Sequence, residues 1–180
     1  MALQRLAVMP SMFGVGSACS IGTEIAGLGV PLSSSGSGIG TANTAVYVPL
    51  EVTETITIVK GWWCNDAGIS GNVDIGLYPE AGGAKLVSLG STAQAGADLV
   101  QEGNIADTVV PPGRYLMAFA VSSATSDQEG WVLSTSSGRS LGLAMEAVFP
   151  LPASATPAAF SGATVLIVPS FGFSQRTLVA

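Results

Sequence analysis

Histidine is absent from these 180 residues. That excludes Ser-His-Asp and Cys-His nucleophilic systems, which need an imidazole to take the proton of the attacking group. Positive charge is nearly as scarce, with six Lys and Arg scattered singly against twelve Asp and Glu, for a net charge of −6. No basic stripe exists to displace counterions, so nucleic acid is not an expected partner. Cysteine occurs twice, as Cys19 and Cys64. Without histidine the pair cannot supply a zinc site, and two buried thiols are favoured over a disulfide between them. Charged residues make up 10% of the chain, against about 25% in an average soluble domain. Mean hydropathy is +0.52, yet no apolar run reaches the roughly 20 residues of a membrane helix, so no membrane insertion is expected. A chain this poor in charge hides much of its surface against partners, as an obligate oligomer or a component of a large assembly does.

What is present favours short strands and many turns: 23 Gly and 10 Pro among abundant Ser, Thr, Ala and Val. The organising stretch is 109–122. Pro111-Pro112-Gly113 makes a turn with preset φ angles. The strand after it carries Tyr115, Met117, Phe119 and Val121 on one face and Leu116, Ala118 and Ala120 on the other. Large apolar residues on one side and small apolar ones on the other predict a central strand covered on both faces, by its own domain or by a neighbouring chain.

In chain order, Arg5, the apolar residues 6–15 and Gly16-Ser17-Ala18-Cys19 bear a loose likeness to a lipoprotein cleavage site, but Pro10 interrupts the run, the basic region is thin and no large aliphatic stands three residues before Cys19, so a signal peptide is not expected. Residues 33–41 read as a Gly/Ser linker. Gly36, Gly38 and Gly40 do not make a phosphate loop, because no hydrophobic strand precedes them and no helix follows; no cofactor is expected. Residues 1–43 are therefore read as an extended assembly arm, with Leu6, Met9, Met12 and Phe13 as its anchor, and 44–180 as the folded domain. Strands are expected over 45–52, with Pro49 marking an edge or bulge, and over 53–63. A hairpin is expected around Pro79-Glu80-Ala81-Gly82-Gly83, and a helical turn at 98–101. Further strands are expected over 105–110, 131–134, 141–146 and 165–168 and around Phe171 and Phe173, with an extended, helix-free connection over 149–159. About eight or nine short strands without an amphipathic helix predict an all-β fold: an antiparallel two-sheet sandwich of jelly-roll type with an extended N-terminal arm.

Two linked segments carry a resemblance. Gly71-Asn72-Val73-Asp74-Ile75-Gly76-Leu77-Tyr78-Pro79-Glu80-Ala81-Gly82-Gly83, continued by residues 85–92, and Val110-Pro111-Pro112-Gly113-Arg114-Tyr115-Leu116-Met117-Ala118 together resemble β-sandwich domains of tailed-bacteriophage virion proteins, such as tail fibres, receptor-binding proteins, head fibres and decoration proteins. The likeness spans about residues 47–123. It implies a non-enzymatic structural component of a virion, of the fibre, tail or capsid-decoration kind, that docks on other virion proteins through its arm. It also implies a homo-oligomer, a trimer by analogy with fibre-like proteins. The alternatives are a glycan- or receptor-binding module at a fibre tip, facing a host surface glycan, and a bacterial surface lipoprotein.

The residues that invite chemistry are few. Glu51 and Glu54 fall on opposite faces of an extended segment, and Asp98, Glu102 and Asp107 surround a loop, so no converging carboxylate pair of the glycosidase kind is expected. No catalytic residue and no metal ligand is assigned. Asp66, Asp74 and Asp127 lack the clustered spacing of a calcium loop. Trp62, Trp63 and Trp131 are the candidate glycan or interface aromatics. Adjacent residues on a strand point to opposite faces, which predicts that one of Trp62 and Trp63 is in the core and the other faces outward.

Overall fold

Strand β9 (Gly113–Val121) runs through the middle of the largest sheet, hydrogen-bonded to β2 (Thr44–Val52) on one side and β4 (Asn72–Pro79) on the other. The structure is a computed structural model that describes residues 20–22, 39–159 and 165–175. The fold is all-β, with every strand pairing antiparallel. The remaining elements are β1 (Ser20–Gly22), β3 (Ile56–Cys64), β5 (Gly83–Ala84), β6 (Val87–Ser88), β7 (Thr92–Ala93), β8 (Val100–Val110), β10 (Gly130–Ser134), α1 (Thr135–Ser140), β11 (Ala144–Glu146), β12 (Ser154–Ala155), β13 (Ala158–Ala159), β14 (Val165–Pro169) and β15 (Phe171–Ser174). The larger sheet has the order β13-β11-β2-β9-β4-β6, with β7 also on β4, and a four-stranded sheet has the order β1-β15-β3-β8. The pairs β10-β14 and β12-β5 complete the set.

The core lies between the two larger sheets. Tyr115, Met117, Phe119 and Val121 from β9 meet Ile58 and Trp63 of β3 and Phe171 and Phe173 of β15. The rings of Phe119 and Phe171 stand 5.2 Å apart and tilted by 53°, within the range that aromatic pairs favour. Burying each such side chain contributes about 1.5–3 kcal/mol. The Tyr115 hydroxyl donates to the Pro111 carbonyl at 2.8 Å and ties the strand back onto its turn.

The second face of β9 is covered by the chain itself. Leu116, Ala118 and Ala120 pack with Ala45, Tyr47 and Tyr78 under Leu151 and Ala155, with Val148 and Phe149 alongside. Residues 148–155 thus form a strap over the outside of the sheet. Asp74 holds it, its Oδ2 accepting from the Leu151 N–H at 3.0 Å. Lys85 donates through Nζ to the Leu151 carbonyl at 2.9 Å and through its N–H to that of Ala153 at 2.8 Å. Tyr78 donates its hydroxyl to the Pro152 carbonyl at 2.6 Å. A strand apolar on both faces is therefore covered here by residues of its own chain.

Other expectations meet the structure element by element. Pro49 sits inside β2, opposite Leu116 of β9. On its other side β2 is paired only at Ala45, Val46 and Tyr47, by β11. The proline, which has no N–H to give, thus occupies the stretch beyond β11. Residues 98–101 are not a helical turn: Ala97 and Asp98 make a tight turn, Asp98 at φ 56°, and β8 begins at Val100. The one short helix among the described residues, α1, was not foreseen; Thr-Ser-Ser-Gly-Arg-Ser carries no apolar period to betray it.

Candidate functional site

Strands β3 and β8 build the side-chain constellation with the most chemical content. Both are in the four-stranded sheet, with one face on the core and one outward. At their N- and C-terminal ends respectively, Ile58 lies opposite Thr108, and two steps further along β3 Lys60 lies opposite Asn104. Between those pairs β3 spends one residue, Val59, and β8 spends three, Ile105, Ala106 and Asp107. This bulge resets the alternation of both strands. Ile58 points inward before it, and Gly61 and Trp63 point inward after it. Lys60 and Trp62 consequently share the outer face with Asn104 and Glu102, their cross-strand partners.

On that face the Lys60 Nζ donates to Asn104 Oδ1 at 2.5 Å. The same nitrogen lies 3.8 Å from Glu102 Oε1, with the Lys60 and Glu102 side chains 21% and 11% exposed. Ser174, opposite Lys60 on the other flank of β3, is fully buried. An amine, a primary amide and a carboxylate therefore meet in a partly sheltered place. Glu102, expected in a loop, is on a strand.

The sequence candidates distribute unevenly around this site. Trp62 is half-buried on the outer face, opposite Glu102. Trp63 is fully buried and donates its indole N–H to Asn65 Oδ1 at 2.8 Å. Asn65 belongs to a partly buried network of side-chain hydrogen bonds with Gln94, Gln101, Ser126 and Gln128. Trp131 is in β10, paired with Val168, away from the other two in sheet order; its side chain lies outside the described residues. The anchor residues Leu6, Met9, Met12 and Phe13 also lie outside them, as does Cys19. Cys64 is a half-buried free thiol, pushed above its ordinary pKa by burial, with a hydrogen bond to Ser170 pulling the other way. The arm contributes one described element, β1, which pairs with β15 at the edge of the four-stranded sheet.

The carboxylates considered for calcium do not converge. Asp74 is engaged elsewhere, its two oxygens accepting from Gly90 and Leu151 N–H groups at 2.9 and 3.0 Å. Asp66 and Asp127 adjoin through a backbone hydrogen bond of 3.3 Å. Burial and the charges of Asp66 and Asp98 push the nearby Glu129 carboxyl up. Among the described residues, no three His, Cys, Asp or Glu side chains are placed to hold a metal ion. A groove of about 560 Å³ lies on the other sheet, between Glu80, Leu116, Arg139, Leu143 and Pro157.

Lys60 and Asn104 were not singled out in the sequence, and Glu102 was assigned to solvent. Two signals were there: a single lysine inside an apolar strand, and Gly103 inside a long polar one, where glycine marks a close approach, here of the Leu89 side chain. Comparison of the chain with protein families, with curated proteins and with solved structures found no match.

Proposed function

We propose that the chain is a non-enzymatic structural component of a bacteriophage virion, of the fibre, tail or capsid-decoration kind, that docks on other virion subunits through its N-terminal arm. The observation that carries this reading is β1. Ser20–Gly22 adds a strand to the free side of β15, and strand addition is a general way for an extended segment to attach to a sheet. In this reading Leu6, Met9, Met12 and Phe13, which lie outside the described residues, engage a neighbouring subunit. The scarcity of charge, 10% of residues, supports extensive contact with other subunits. A homotrimer is the assembly we favour.

The test replaces Leu6, Met9, Met12 and Phe13 together by Ser, leaving β1 in place. The variant should fold and yet be missing from purified particles that contain the wild type. Normal incorporation, or absence of the wild-type chain from the particles, overturns the reading. Sedimentation of the wild type as a stable monomer at micromolar concentration overturns the trimer. One observation favours a second reading: Trp62, beside Lys60, Glu102 and Asn104, offers a ring with polar groups around it, as a glycan subsite does. Loss of glycan binding in Trp62→Ala would support that reading against the first.

A further inference from the structure

We propose that Lys60 and Asn104 join in an intramolecular isopeptide bond, formed by the protein itself with Glu102 carrying the protons. The inference is independent of where the protein works. It starts from a contrast of distances. An ammonium that merely paired with a carboxylate would approach it to about 2.7–2.9 Å. Here Nζ stands 3.8 Å from Glu102 Oε1 and 2.5 Å from the amide oxygen of Asn104. The amine is thus held at the amide, with the carboxylate one step behind it. The bulge between the Ile58 and Lys60 pairs sets this up, because it places Asn104 directly opposite Lys60 on the outer face.

The chemistry balances without any added reactant. Glu102 takes a proton from the Lys60 ammonium, leaving a neutral amine. The Nζ lone pair attacks Asn104 Cγ, and a C–N bond forms as the carbonyl π pair moves to oxygen. Glu102 returns the proton to the amide nitrogen, and the oxygen's extra pair re-forms the carbonyl as the Cγ–N bond breaks with its electrons leaving on nitrogen. Glu102 then takes the second Nζ proton and passes it to the departing ammonia, which leaves as ammonium. The products are a secondary amide between the two side chains and one ammonium ion, with Glu102 again a carboxylate; the chain is lighter by one ammonia, and no oxidant or reductant takes part. Asn104 is exposed, so ammonium escapes to solvent. Two reacting atoms fixed by paired strands gain the large effective concentration of an oriented intramolecular reaction. Such a bond would fasten β8, an edge strand, to β3 across 44 positions of sequence.

The experiment is intact-mass spectrometry of the full chain, followed by trypsin. The wild type should be lighter than its sequence by one ammonia. Cleavage after Lys60 should be lost, and residues 86–114 should remain covalently attached to residues 6–85. Lys60→Arg keeps a cation beside Asn104 and Glu102 but lacks the primary amine, and should show the full mass. Glu102→Gln, which retains the shape, should form the bond at least about 100-fold more slowly, the usual worth of a placed acid–base group. A wild-type chain of full mass that is cleaved at Lys60 after prolonged incubation overturns the proposal. So does an ammonia loss that persists in Lys60→Arg, because that marks a cyclised asparagine instead. An undiminished rate in Glu102→Gln removes Glu102 from the step.

Discussion

Phe119 is fully buried, with its ring against Phe171 at the centre of the sandwich. Truncation to Ala leaves a void between two sheets that cannot both move in, so Phe119→Ala should cost about 3–5 kcal/mol in a denaturant titration. A loss under about 1 kcal/mol would contradict its placement. Asp74 is a different kind of core residue, a carboxyl 1% exposed. Burial pushes it above the ordinary carboxylate range, while N–H groups of Leu151, Gly90 and Ile75 and the charge of Lys85 pull it partly back. A carboxyl whose folded pKa is raised binds its proton more tightly in the fold than in the unfolded chain. Its contribution is complete below the unfolded pKa and is lost as pH rises through the raised one. The wild type should therefore lose stability relative to Asp74→Asn as pH climbs through and just above the usual carboxylate range, about pH 4 upward. Urea midpoints of the two proteins across that range test this; a constant difference, or one that grows in favour of the wild type, refutes it.

Between elements, close approach of backbones matters as much as side chains. Strands β10 and β14 pair over five residues, Gly130 opposite Pro169. A Cβ at Gly130 would stand 2.3 Å from the Val168 carbonyl oxygen and 3.0 Å from Pro169 Cα. Both are backbone atoms that cannot swing aside. Gly130→Ala should push the strands apart and destabilise by about 1–3 kcal/mol; equal urea stability of variant and wild type would contradict the pairing. At this scale the sequence was partly legible. The two unlike apolar faces of β9 were plain because each packs against its own layer. The turn at residues 79–83 was plain because its Pro and Gly are local signals. The strap was not, because an extended proline-rich segment announces its conformation and not the surface it lies on. The adjacency of Trp62 and Trp63 led directly to their opposite faces, since the pleat alone decides that. The meeting of Lys60 with Asn104 depends on which strand pairs with which and on a shift of register, and neither is written in a local pattern.

For the whole molecule, the open question is what the arm does for the fold that carries it. Within the described residues its share of the main core is small: Ile39 packs against the larger cluster, and every buried member of both clusters lies beyond residue 43. Its other described contribution is β1, three residues paired with Gly172, Phe173 and Ser174 of β15. Removing β1 uncovers N–H and C=O groups of that strand to water, where they find new partners at small net cost. Ordering each arm residue, by contrast, costs about 1–2 kcal/mol of backbone entropy. For the described β1 the two effects nearly offset, so the sandwich should not depend on that strand for its existence. A chain beginning at Thr44 should keep its β-sheet circular dichroism and cooperative melting, with a modestly lower midpoint. It should also be more prone to self-association, because the bared β15 is an unprotected sheet edge. Circular dichroism and sedimentation velocity on the truncated and full chains decide the matter. Loss of the folded signal would make the arm an integral layer of the sandwich, and identical sedimentation at high concentration would show that β15 does not need its cover.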